Sequence, residues 1–143
     1  MAMRQSPTWM PRAPVFLAAV LALLLSAGLQ AAGSPAPKVL AVLMYADWCQ
    51  SCKILDPKLQ AVRAEFNQSD ILFLRFDFTD EGTTHQSSML AQTLDLGELY
   101  ERNGGRTGYM ALVDGATGAI VTLITAGHSE TDIQNLLREV AGG

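Results

Sequence analysis

Cysteine is scarce. The chain of 143 residues holds two, Cys49 and Cys52. That count excludes a small scaffold stapled by several disulfides. It also leaves a closed four-ligand zinc site two ligands short. Histidine is equally scarce: His85 and His128 could complete such a site only if the fold carried both to the thiols. Basic residues are outnumbered, 10 against 14 acids, for a net charge of −4. That balance argues against nucleic acid and against anionic membranes as partners. No internal repeat and no low-complexity tract is present. The chain suffices for one domain with one core, not two.

The N-terminus combines Arg4 and Arg12, an uncharged run from Val15 to Leu29, and the small residues Ser26, Ala27, Gly28, Ala31 and Ala32. This is the three-part pattern of a secretory signal peptide, with cleavage expected near Ala31 or Ala32. The other reading is an uncleaved anchor facing the periplasm, for which the apolar run is short against a bilayer core of about 30 Å. No cysteine near the run offers a lipid attachment point, and no twin-arginine pair is present. The expected division is a signal segment over 1–31, a linker over 32–37 and a domain over 38–143. Removing 1–31 takes away Arg4 and Arg12 and no acid, which carries the net charge from −4 to −6.

Within the domain, Val39 to Ala46 is apolar on both faces, as a central strand covered by helices requires. Leu55, Leu59, Val62 and Phe66 recur at helical spacing, which predicts a helix from about Cys49 to Phe66 with a kink at Pro57. Ile71 to Phe78 reads as a strand, with Leu72, Leu74, Phe76 and Phe78 on one face. Thr79 to Thr84 reads as a loop. Ser87 to Tyr100 follows as a helix that Leu96 and Gly97 can split, and Asn103-Gly104-Gly105 ends it. Met89, Leu90 and Leu94 are expected to face the core, with a partner surface as the other reading. Tyr109 to Val113 and Ala119 to Thr125 form a hairpin around Asp114–Gly118. The last helix starts at Ser129 with Asp132 three residues on, and buries Ile133, Leu136, Leu137 and Val140. The fold class is α/β, a three-layer sandwich with a mixed central sheet flanked by helices.

The chemistry concentrates in Trp48-Cys49-Gln50-Ser51-Cys52-Lys53, a Cys-x-x-Cys pair where a strand hands over to a helix. A thiolate attacks disulfides and a thiol hardly does. Cys49 sits where unpaired backbone N–H groups and the helix dipole favour a negative sulfur, with Lys53 adding charge. Cys49 is therefore the candidate nucleophile. Cys52, one turn later on the same face, is the candidate resolving thiol. Trp48 is placed to shield the nucleophile from water, and Gln50 and Ser51 to tune the potential. A purely structural bridge here would close only a four-residue loop and remove little chain entropy.

These residues resemble the thioredoxin family. The likeness covers about residues 38–141 and includes Pro57 in the active-site helix, Phe76-Asp77-Phe78-Thr79 at a strand end, and the hairpin followed by Gly127 and a capped helix. Tyr45-Ala46-Asp47-Trp48-Cys49 is most similar to the periplasmic C-terminal domain of DsbD-type proteins. The resemblance implies a redox-active disulfide between Cys49 and Cys52, a thiol–disulfide oxidoreductase without cofactor, and two kinds of partner: disulfide-containing proteins and a redox partner protein. The likeness to a reductant carrier leans towards reduction. Thr107, Gly108 and Tyr109 then flank the dithiol. Two positions depart from the pattern. Leu43 stands where the family has a buried acid. Gly108 stands where it has a cis-proline, and Thr107-Gly108 is expected to be trans. Asp47 is expected to point outward.

The leading expectation is an exported, periplasmic thiol–disulfide oxidoreductase. A different reading uses the same thiolates for metal, copper above all, since soft thiolates select Cu(I). A third is a redox-inert docking module, with Leu43 and Gly108 as marks of decay.

Overall fold

The computed structural model describes residues 36–67 and 69–142. The expected signal segment and most of the expected linker lie outside them. No helix among the described residues is long and apolar enough to cross a membrane.

Strand β1 (Val39–Tyr45) leads to helix α1 (Gln50–Arg63), which tightens into one 3-10 turn over Ala64–Phe66. Then come β2 (Ile71–Asp77), α2 (Glu81–Thr93), α3 (Gly97–Asn103), β3 (Tyr109–Asp114), β4 (Ile120–Thr125) and α4 (Glu130–Gly142). The sheet order is β2-β1-β3-β4. β1 pairs parallel with β2 and antiparallel with β3, and β3 pairs antiparallel with β4. The parallel pair needs a long crossover, which α1 supplies.

β1 is buried on both faces, which is why it lacks polar residues. Val39, Ala41 and Leu43 face one apolar cluster with Leu55, Leu59 and Val62 of α1 and Ile133 and Leu137 of α4. Leu40, Val42 and Met44 face a second with Phe76, Ala91, Leu96 and Leu99, and this one takes in both cysteines. The mixed sheet between two helical layers is the expected sandwich. Pro57 lies inside α1, which runs on to Arg63. Lys58 Nζ donates to the carbonyls of Ala126 (2.9 Å) and His128 (2.7 Å), tying α1 to the turn before α4. α4 starts as expected, with Ser129 N–H bonded to Asp132 and Asp132 N–H to the Ser129 hydroxyl.

Three expectations change. The segment read as a loop over Thr79–Thr84 already contains the first turn of α2. Asp80 caps it: Thr83 N–H donates to the Asp80 carboxylate at 2.8 Å and Asp80 N–H to the Thr83 hydroxyl at 3.1 Å. Met89 and Leu90 of that helix are exposed, while Ser87 and Ala91 turn inward. Ser87 can be buried because its hydroxyl bonds both backbone groups of Asp77. Leu72, on the edge strand β2, is also exposed. The expected break between helices is real: Asp95 takes φ +56° between α2 and α3. Gly104, at φ +59°, ends α3.

Candidate active site

β1 ends at Tyr45, and Cys49 N–H donates back to Ala46 O (3.2 Å) in the turn that follows. Cys49 is the N-cap of α1, with φ −82° and ψ 115°. In place of the usual cap oxygen it offers sulfur: Cys52 N–H donates to Cys49 Sγ at 3.3 Å. The unpaired N–H groups of a helix start favour a negative atom there. Both cysteines are free thiols. Cys52 has no exposed surface, and its S–H donates to Met44 O at 3.7 Å.

The two thiols are pushed apart. Burial pushes Cys49 up, but hydrogen bonds from the Cys52 thiol, the Thr107 hydroxyl and the Cys52 and Ser51 backbone outweigh it and leave Cys49 below its ordinary value. Burial, then the neighbouring Cys49, pushes Cys52 up to about 11. One thiol is thus poised to ionise and its partner to keep its proton, as an attacking and a resolving sulfur require. Lys53 and Gln50 are exposed. Hydrogen bonding, rather than the Lys53 charge expected from sequence, lowers Cys49.

Gly108 faces the pair. It has φ +96°, and a Cβ there would lie 2.8 Å from Ser51 Cβ and 3.4 Å from Cys49 Sγ. Only glycine takes this conformation at so close an approach. No described peptide bond is cis, so Thr107-Gly108 is trans. Its N–H, which a proline would lack, donates to Met44 O at 2.9 Å. Trp48 is 61% exposed, next to a Cys49 that is itself buried. Its indole N–H donates to Thr79 O (3.2 Å), while the Thr79 hydroxyl accepts from Asp47 N–H (3.0 Å) and donates to Asp77. Trp48 forms one wall of a cleft of about 640 Å³ with Arg106, Thr107, Tyr109, Ile120 and Leu123.

The thioredoxin family model matches residues 31–92, a span that holds β1, the dithiol, α1, β2 and nearly all of α2. A thiol:disulfide interchange protein of the thioredoxin family from Chlorobium tepidum TLS is similar in structure. It has 18% sequence identity and a TM-score of 0.53 over 75% of this chain and 82% of that one. The fold of this chain is thioredoxin-like.

Thioredoxin 2 from Pseudomonas aeruginosa PAO1, in its reduced form, also aligns, at 14% identity and a TM-score of 0.45 over 73% of this chain and 80% of that one. No curated protein matches. The span matched by the family model carries the intact Cys-x-x-Cys pair, which supports thiol–disulfide oxidoreductase activity. Leu43 is 3% exposed in an apolar cluster. Asp56 shares a cleft with it, but Asp56 Oδ1 accepts from Arg75 (2.8 Å) and Oδ2 from Gln60 (2.9 Å). Asp47 is exposed, as expected. Among the described residues no three His, Cys, Asp or Glu side chains come together as a metal site. Sequence reasoning missed the Met44 carbonyl, because backbone acceptors leave no signature. It also missed Asn103, read only as a helix end, and the grip of Thr79 on the Asp47-Trp48 turn.

Proposed function

We propose that the protein is an exported thiol–disulfide oxidoreductase that reduces disulfides in periplasmic partner proteins. The observation that carries the reading is the asymmetry of the pair: a depressed Cys49 at a helix start beside a buried Cys52 near 11. The signal-like N-terminus supports the address.

The Cys49 thiolate attacks one sulfur of a substrate disulfide. A Cys49–substrate disulfide forms, and the other substrate sulfur leaves as a thiolate. Cys52 then gives up its proton, which can pass to the departing thiolate, and attacks Cys49 Sγ. The Cys49–Cys52 disulfide forms and the second substrate sulfur is released. The substrate gains two electrons from the dithiol, one proton from Cys52 and one from solvent, which took it when Cys49 ionised, and a redox partner must return two electrons to the dithiol. Leu43 itself offers no carboxylate for the second proton transfer, so the leaving thiolate, water or another group takes that proton.

Replacing Cys49 with Ser is expected to abolish disulfide reduction, and Cys52→Ser to trap mixed disulfides. Full reductase activity in Cys49→Ser would sink the assignment. Stoichiometric metal in the reduced protein, lost in Cys49→Ser, would favour the copper-binding reading. The reduction potential sets direction: a value near about −270 mV fits a reductant, and one near about −120 mV an oxidant.

A further inference from the structure

The loop Arg106-Thr107-Gly108 meets Cys49 without a proline ring to stiffen it. Gly108 lies at φ +96°, the most permissive residue in a region that L side chains rarely enter. Yet the loop packs closely on the dithiol: a Cβ at 108 would lie 3.4 Å from Cys49 Sγ, and Gly108 N–H donates to the Met44 carbonyl that also accepts from Cys52 S–H. The Thr107 hydroxyl beside it favours the Cys49 thiolate. What fixes the loop lies on either side. Tyr109, the first residue of β3, donates its phenol hydrogen to Oδ1 of Asn103, the last residue of α3. The Asn103 main-chain carbonyl accepts from Arg106 N–H at 3.3 Å and from Arg106 Nε at 2.9 Å. Arg106 Nη2 reaches Arg102 O at 3.0 Å. Asn103 therefore holds both flanks of Thr107.

Asn103 is 2% exposed and its Nδ2 has no partner. A buried amide hydrogen left unmade costs free energy that an apolar side chain of similar size avoids. Packing alone does not account for asparagine here, whereas the need for its oxygen does. Burial pushes the Tyr109 phenol above its ordinary range against the opposing Arg106 charge, so it stays a donor where thiols titrate.

We propose that Asn103 and Tyr109 are positioning residues of the dithiol: their side-chain hydrogen bond fixes the Arg106–Gly108 loop against Cys49 and the Met44 carbonyl. The proposal deepens the oxidoreductase reading and rests on it for its meaning, but its test does not need a substrate. The rate of Cys49 alkylation by iodoacetamide in the reduced full chain, followed by mass spectrometry across pH, gives the midpoint of thiolate formation. The titratable or charged groups of the surrounding elements, Cys52, Asp47, Lys53 and Arg106, are the same in every variant.

Tyr109→Phe is expected to raise that midpoint by about half a pH unit or more. Thr107→Val should raise it as far, and the double variant should add nothing, since both remove the same contact. Thr107→Ser, which keeps the hydroxyl, should stay near wild type. Asn103→Leu combined with Tyr109→Phe removes both partners of the bond and the orphaned amide hydrogen. It should melt at or above the wild-type temperature and still raise the midpoint, a combination that a merely structural role does not produce. A wild-type midpoint in folded Tyr109→Phe, or in the folded protein that combines it with Asn103→Leu, overturns the proposal. If the midpoints shift but the wild type reduces no protein disulfide, the oxidoreductase reading fails and the positioning pair stands.

Discussion

On the face of the sheet covered by α1 and α4, the buried cluster is wholly apolar and contains no sulfur from cysteine. On the face covered by α2 and α3, the cluster includes Cys49 and Cys52, and the helices above it bury the polar Ser87 and Asn103. Its cover is also shorter: Leu123, opposite Ala111 on that face, is exposed. The first face keeps water out and holds the strands in place. The second uses the same exclusion of water to separate two chemically identical thiols, and one of its polar groups, Asn103 Nδ2, goes unsatisfied. Stability and reactivity are thus carried by opposite sides of one four-stranded sheet, which substitutions can separate.

The largest expected effect belongs to the apolar face. Leu137→Ala, at a site with no exposed surface, should cost about 2–5 kcal/mol in urea unfolding and leave the Cys49 alkylation midpoint in place. A midpoint that moved with it would mean that the faces are not separable. On the reactive face, Gly108→Ala should cost less, about 1–3 kcal/mol, because its φ of +96° and the 2.8 Å approach to Ser51 both resist a Cβ. It should nonetheless slow disulfide reduction more than Leu137→Ala does, and the opposite order of rates would break the comparison. The third effect is a pH dependence. Cys52 titrates near 11 when folded against 9.0 ordinarily. Below about pH 9 the thiol is protonated in both states. Between about 9 and 11 the unfolded chain releases the proton and the folded chain does not, so stability falls as pH rises. Reduced wild type should lose on the order of 2 kcal/mol over that window relative to Cys52→Ala. Equal losses in both proteins would show that burial does not hold the Cys52 proton.

The apolar face was largely legible in the sequence, because its signal is periodic: Leu55, Leu59 and Val62 announce α1, and Ile133 and Leu137 announce α4. The reactive face was legible only where chemistry is local, in the Cys-x-x-Cys pair and the odd glycine at 108. α2 was misjudged in start and in phase. Its first turn is polar and is held by the Asp80–Thr83 box. Its inward residues are Ser87 and Ala91, weaker apolar markers than the outward Met89 and Leu90. Asn103 was invisible as a site residue, since its meaning depends on Tyr109, six positions later and across a loop. The anchor of the Trp48 ring, the Thr79 carbonyl, was equally invisible, since it lies 31 residues away.

The Met44 carbonyl receives both the Cys52 S–H and the Gly108 N–H. A carbonyl oxygen has two lone pairs and can serve both donors at once. When Cys52 enters a disulfide its hydrogen is gone, but the glycine amide stays. The oxygen keeps a partner in either redox state, so taking up or giving away two electrons leaves no bare acceptor in the interior. With proline at 108, which has no N–H, the same oxygen would lose the amide. The glycine thus lets β1 and β3 keep one backbone register while the sulfurs beside them change their bonds.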